Sequence, residues 1–250
     1  MPGGFAGQGD GAMKDPWIFW LLFVAVGLVM IGAEVAGRRA ERQRTEQLRA
    51  VASRLGLDFS PESLPQLVER LAHFQLFLQG HSGKAWNVMD GLAGDVKVRL
   101  FDHSYMVGSD DQLVHTWRQT VLLFESARLQ LPAFSLRPEG AWDGVAGLFG
   151  QQDIELEASP EFSRAYVLQG LDEDQVRAIF SEPAVAYCTR HPDLCFEGWG
   201  QQLVYYHKGR RMKPTEIRGF FQEGLDVLDL WIQKEGVAEN LELIGLDLGG

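Results

Sequence analysis

The pattern of hydrophobic and polar positions begins with one long apolar run near the N-terminus. Residues 17–33 contain no charged side chain, and Trp17 and Trp20 lie at one end of the run. An α-helix of this length rises about 26 Å, close to the thickness of the hydrocarbon core of a bilayer. Tryptophan is enriched at membrane interfaces. The run therefore predicts a transmembrane helix over residues 17–37.

The charges that flank this run predict its direction. A cleaved signal peptide would carry its positive charge before the apolar stretch, but here only Lys14 precedes it, so an uncleaved anchor is favoured. Basic residues remain on the cytoplasmic side of a span. We therefore expect a short non-cytoplasmic tail over residues 1–16, with the remainder in the cytoplasm. In a bacterium this describes a single-pass protein of the inner membrane. The basic residues that follow the run are Arg38, Arg39, Arg42, Arg44 and Arg49.

The helical period continues beyond the apolar run. No proline or glycine occurs between Arg38 and Gly56, and an apolar stripe repeats at intervals of three and four residues. Glycine is common just after a helix C-terminus, so we expect one helix from about residue 16 to 55, with residues 38–56 forming a juxtamembrane helix. Glu34 is four residues before Arg38, a spacing that predicts an ion pair at the membrane edge. The stripe consists of Leu48, Val51, Ala52 and Leu55.

After Gly56 the hydrophobic period becomes that of strands. Apolar runs joined by short glycine-rich breaks predict an antiparallel meander of about five strands between residues 74 and 137. The break "GHSG" (80–83) is interpreted as a hairpin turn. Residues 161–234 then predict a β-α-β-β-α unit that ends in an amphipathic helix. The predicted fold class is α+β, with a cytoplasmic domain over residues 57–235 and an acidic tail over 236–250.

The distribution of charge excludes one class of partner. The chain has 250 residues and a net charge of −11. Residues 1–50 carry six basic and five acidic groups, which leaves 17 basic and 29 acidic groups, or −12, for residues 51–250. An acidic domain repels the phosphate backbone, so nucleic acid is not expected as a partner.

Two sets of basic residues suggest contact with anionic headgroups, because each basic group near such a surface contributes about 1 kcal/mol. The first set follows the apolar run and the second lies in "HKGRRMKP" (207–214). Two simpler interpretations stay open: the first set fixes only the topology, and the second is a solvated turn. The candidate headgroup contacts are Arg38, Arg39, Arg42, Arg44, Lys208, Arg210, Arg211 and Lys213.

Standard catalytic motifs are absent. "GHSGK" fits neither the nucleophile elbow, which needs glycine where Lys84 stands, nor the P-loop spacing. An enzyme site would have to combine scattered residues, and the best set is Asp102, His103, His115 and Arg118. Asp102 and His103 point to opposite faces of a strand, so cross-strand pairing is the favoured interpretation. We expect no catalytic residue, no cofactor and no metal.

"YCTRHPDLC" (187–195) contains both cysteines of the chain. A disulfide is disfavoured in the cytoplasm, and a structural zinc site needs four ligands. Pro192 disfavours helical geometry at His191, so Cys188 and Cys195 are not expected on one helical face. We interpret both as small buried side chains, with a redox role left open.

The segments "WRQTVLLFESARLQLPAFSLRPEG", "DIELEASPEFSRAYVLQG" and "GRRMKPTEI" resemble a family of uncharacterised single-pass membrane proteins of bacteria. The resemblance covers most of residues 45–233. It implies the same topology and an α+β cytoplasmic domain, and it implies no catalytic residue. The leading hypothesis is a membrane-anchored, non-enzymatic adaptor or assembly module that binds membrane or cytoplasmic proteins. The alternatives are a membrane-tethered enzyme and a module that senses anionic lipids.

Overall fold

The computed structural model describes residues 16–108, 114–140, 149, 153–156 and 159–232. The predicted N-terminal tail lies outside these residues except for Pro16, and the predicted acidic tail lies wholly outside them. The chain divides into two units, residues 1–46 and 47–250.

The helix α1 spans Pro16–Arg54 and confirms the single helix predicted across the apolar run and the arginines. From Trp20 onward it is long and apolar enough to cross a membrane, and its most apolar stretch is entirely unburied. Glu34 and Arg38 form the predicted ion pair, with 2.6 Å between Oε1 and Nη2.

The last turns of α1 belong to the second unit and enter its core. Leu48 and Ala52 are fully buried. Gly56 has a φ of +68°, and the N–H of Leu57 donates to the carbonyl of Ala52 at 2.9 Å. With the bond from the Gly56 N–H to the Ser53 carbonyl, this is the Schellman arrangement that ends a helix at a glycine.

Eight strands form one sheet in the order β1-β2-β3-β4-β8-β7-β5-β6, and every neighbouring pair is antiparallel. The sheet, together with its helices, confirms the α+β class. The strands are β1 (Asp58–Ser60), β2 (His81–Ala93), β3 (Val96–Val107), β4 (His115–Glu125), β5 (Leu131–Pro138), β6 (Tyr166–Gly170), β7 (Cys195–Gly200) and β8 (Gln202–Tyr206). Among the described residues the other helices are α2 (Pro65–Arg70), a 3₁₀ helix (Gln75–Leu78), α3 (Pro160–Ala165), α4 (Glu173–Ile179), α5 (Glu182–Arg190) and α6 (Ile217–Leu228).

The predicted five-strand meander is only partly correct, because β5 does not pair with β4. The hairpin β7–β8 lies between them: Val121 of β4 pairs with Tyr206, and Leu136 of β5 pairs with Phe196. The pattern of apolar residues identifies the strands, but it does not specify which strands pair with each other. The insertion of the β7–β8 hairpin between β4 and β5 therefore has no signal in the local sequence.

The prediction of a strand and hairpin turn over residues 74–83 is wrong. Residues 75–78 form the 3₁₀ helix, in which consecutive side chains from Phe74 to Phe77 are buried. The turn predicted at "GHSG" is instead the start of β2. Gly80 and Ser82 have φ values of +58° and +57°, and the register with β3 shifts between His81 and Lys84. The extra residue of β2 therefore lies at Ser82–Gly83, where Ser82 belongs to a β-bulge within a paired strand, and Gly80 lies just before that strand.

Each face of the sheet has its own core. The "helix face" includes Leu100, Leu122 and Tyr205. It packs against α6, where a Cβ on Gly224 would lie 2.3 Å from Leu122 Cδ2. The "opposite face" includes Phe101 and Val121, and it is covered by the segment that contains α2 and the 3₁₀ helix.

Candidate functional site

The helix face contains a buried carboxylate, that of Asp102, which is 2% exposed. It accepts hydrogen bonds from Asn87 Nδ2 at 3.0 Å and from Thr120 Oγ1 at 3.1 Å. Arg211 donates from Nε at 3.0 Å and from Nη2 at 2.9 Å, both to Asp102 Oδ2. The carboxylate is therefore paired with a cation and hydrogen bonded on both oxygens, as a buried charge requires.

The strand β2 supplies two groups to this centre through a second bulge. Asn87 has a φ of +51°, a left-handed conformation that asparagine tolerates better than most residues. The register shifts between Trp86 and Met89. As a result the Asn87 amide reaches Asp102, and the Trp86 ring lies 5.2 Å from the Arg211 guanidinium carbon. A cation over an aromatic face is a favourable contact.

The loop that follows β8 carries Arg211 to this position. The N–H of Thr120 donates to the Arg210 carbonyl at 3.1 Å, and the N–H of Met212 donates to Thr120 Oγ1 at 2.9 Å. Gly209 packs so closely against Trp117 that an added Cβ would lie 2.8 Å from the ring. The loop therefore runs alongside β4, in the position that a longer β8 strand would occupy.

The basic residues of this loop, which the sequence suggests as contacts for anionic headgroups, have different surroundings. Arg211 is directed at Asp102, whereas Lys208 Nζ lies 4.8 Å from the ring centroid of Trp117 on the opposite face. Arg210 pairs with Glu216 at 3.6 Å, and Lys213 is exposed. Lys208 and Arg210 line an open cleft of about 420 Å³ together with acidic residues, so its charge is mixed.

The four residues considered for an enzyme site do not meet in one place, although Asp102 and Arg118 lie in adjacent rows on the helix face. Asp102 lies on the helix face, and His103 lies on the opposite face, 4.8 Å from the Phe77 ring. Burial lowers the pKa of His103 to about 4, so its ring is neutral at pH 7. His115 packs edge-on against Trp117 at 4.7 Å. Arg118 lies opposite Ser104 in the register of β3 and β4.

A buried glutamate that the sequence did not indicate lies on the opposite face. Glu197 accepts from the backbone N–H groups of Gln75 and Leu76 at 2.5 and 3.0 Å, and from the Tyr206 hydroxyl at 3.0 Å. Burial raises its pKa to about 7, against the opposing effect of these donors. The carboxylate thus holds the start of the 3₁₀ helix on the sheet. Only the single glutamate in an otherwise apolar strand, "CFEGW", signals it.

The two cysteines are buried, as predicted, and are not paired with each other. Cys188 lies in the core of the helix face and Cys195 in the core of the opposite face. Burial raises the pKa of each thiol to about 12, which keeps both protonated. Over the described ranges, no cluster of three or more His, Cys, Asp or Glu side chains could hold a metal ion.

The fold defines an α+β protein whose N-terminal apolar helix is long enough to cross a membrane. No protein-family model matches the chain, and neither does any curated protein. Among solved structures it is similar in fold to the mycobacterial trehalose monomycolate transport factor A, TtfA. The TM-score is 0.53 at 12% identity, and the match covers 78% of this chain and 99% of that one. At this identity the likeness concerns the fold alone.

Proposed function

We propose that this chain is a membrane-anchored, non-enzymatic adaptor or assembly module. The observation that carries the proposal is the continuity of α1: its apolar stretch is unburied, and its last turns carry Leu48 and Ala52 in the core of the second unit. An anchor built into a folded domain suits a protein that holds partners at a membrane. The likeness in fold to a protein named a transport factor is compatible with such a role.

We propose the topology that follows from the flanking charges. The span covers residues 17–37, the N-terminal tail lies outside, and the domain over residues 57–235 lies in the cytoplasm, at the inner membrane of a bacterium. The arginines at the end of the span would then contact anionic headgroups. In support, Arg39 and Arg42 are exposed on α1, in the juxtamembrane helix over residues 38–56.

The positions of the polar residues favour an adaptor over an enzyme. Asp102 is occupied by Arg211, and His103 is enclosed by aromatic rings. An acid–base pair has to reach a common substrate atom within hydrogen-bond distance, and these two side chains lie on different faces of a sheet.

The test is recovery of partner proteins from native membranes. The full chain would be crosslinked in cells and purified in detergent, beside a control in which residues 17–37 are replaced by an unrelated transmembrane helix. The adaptor role predicts the same specific proteins with both anchors, since the domain selects them. Recovery of background proteins alone would contradict it.

A further inference from the structure

The helix face of the sheet extends beyond the helices that cover it. Lys84, Ser104 and Arg118 form one cross-strand row on β2, β3 and β4, next to the row that contains Asp102. Lys84 and Arg118 are exposed, and Ser104 is half-buried. The two cations are two strands apart, which separates their Cα atoms by about 10 Å. We call these three residues the "basic row".

The basic row adjoins a cation that is already fixed in place. Arg211 is held by Asp102 and lies over Trp86, which is half-buried at the edge of the row. Met106, one row further out, is also half-buried. Within the part of the chain that the structure describes, Lys84 and Arg118 form no ion pair. The surface thus combines cations with tryptophan and methionine, the residue types enriched at protein–protein interfaces.

We infer that the basic row binds an acidic segment of a partner protein. The inference rests on the adaptor role and names the chemistry of one partner. Residues 51–250 have a net charge of −12, so an acidic segment is complementary to this face and not to the domain as a whole. Exposed charges interact within a Debye length of about 8 Å at physiological salt, and a short peptide can therefore contact the row without meeting most of the acidic surface.

A membrane surface fits this face less well. An anionic bilayer is broad, and it would repel the carboxylates of the same acidic domain over a wide area. Lys84 and Arg118 are also exposed side chains on a sheet surface, which suits an extended peptide better than a small anion. Lipid binding is nevertheless a distinct outcome that the experiment can detect.

The test uses the full chain in detergent micelles and a fluorescein-labelled decapeptide that alternates glutamate and leucine. Fluorescence anisotropy should show binding that weakens with added salt and that is absent for a peptide alternating lysine and leucine. The double variant Lys84→Glu, Arg118→Glu should weaken binding roughly tenfold or more. The control Arg164→Glu, Arg190→Glu makes the same change of charge at exposed positions on α3 and α5, which pack at the β6 end of the sheet, and should bind like the wild type.

Two results would overturn the inference. One is equal peptide binding by the two double variants. The other is a row variant that binds the peptide normally but no longer binds a short-chain phosphatidylglycerol added to the micelles, which would assign the row to lipid. Partner recovery from membranes separates these failures from that of the adaptor role, because the adaptor role predicts recovery by the wild-type chain whatever the basic row binds.

Discussion

Arg211 donates two hydrogen bonds to one oxygen of Asp102, which joins the loop after β8 to the middle of β3. The side chains are 17% and 2% exposed. Removing one member of a buried ion pair leaves the other charge without compensation, which costs about 3–5 kcal/mol. Asp102→Asn should therefore lower the free energy of unfolding by about that amount, measured by urea denaturation in detergent.

A matched change at an exposed pair provides the control. Glu173→Gln breaks the ion pair with Arg177 on α4, whose members are 46% and 36% exposed, and should cost less than about 1 kcal/mol. The combination of Asp102→Asn with Arg211→Met should recover part of the loss, because no buried charge remains unpaired. Equal losses for the buried and the exposed pair would contradict this assignment.

Glu197 should make stability depend on pH. Its pKa is about 7 in the folded protein against 4.5 when unperturbed, so between these values the folded state binds more protons than the unfolded state. The contribution of Glu197 to stability therefore falls as pH rises from about 4.5 to 7, by roughly 3 kcal/mol. His103 acts in the opposite direction, because burial lowers its pKa from 6.5 to about 4 and its contribution rises with pH between these values. The difference in unfolding free energy between the wild type and Glu197→Gln, measured by urea unfolding, should therefore fall by roughly 3 kcal/mol between about pH 4.5 and 7.5. The difference between the wild type and exposed Glu182→Gln should stay constant, and a constant difference for Glu197→Gln would refute the prediction.

The cysteines should be inert in the folded protein. Cys188 and Cys195 are buried, with thiol pKa values of about 12, and the thiolate is the reactive form. Neither should react with a maleimide at pH 7 until the chain is unfolded, when mass spectrometry should show two modifications. Leu171→Cys adds a thiol at a position that is 64% exposed and should react at once. Rapid modification of the wild type would show that the cores are open.

This inertness permits a test of the topology. Leu171→Cys places a reactive thiol in the domain, and Gly7→Cys places one in the N-terminal tail. An impermeant maleimide should label Gly7→Cys on intact spheroplasts and should label Leu171→Cys only after permeabilisation. The reverse pattern would place the domain outside, against the arginines that follow the span.

Gly209 should be required for the loop that carries Arg211. Its φ is +65°, and an added Cβ would lie 2.8 Å from the Trp117 ring, so Gly209→Ala combines backbone strain with a clash. We expect a loss of about 1–3 kcal/mol in unfolding free energy. Gly140→Ala, with a φ of +72° and open space around the Cβ, retains only the strain and should cost less. Equal costs would show that Trp117 moves freely.

Local sequence patterns predict where the helices and strands lie better than they predict which of these elements contact each other. The stripe at Leu48, the glycine that ends α1 and the amphipathic character of α6 all follow from a period of 3.6 and from capping rules. The 3₁₀ helix has no such signal, because Glu197 accepts from its first N–H groups from far along the chain. Asp102 is a candidate from the sequence, but its partner Arg211 lies 109 residues away, and no local signal joins them.

The position of β7–β8 between β4 and β5 has a consequence during synthesis. While the chain emerges, the backbone groups of β4 that will pair with β8, such as those of Val121, have no partner until Tyr206 has been made. An unpaired strand edge recruits other strands, so this is the interval in which the nascent domain is most exposed to aggregation. The apolar helix is synthesised before the sheet. A nascent chain already held at the membrane would therefore be separated, during that interval, from most other unfinished copies of the same chain.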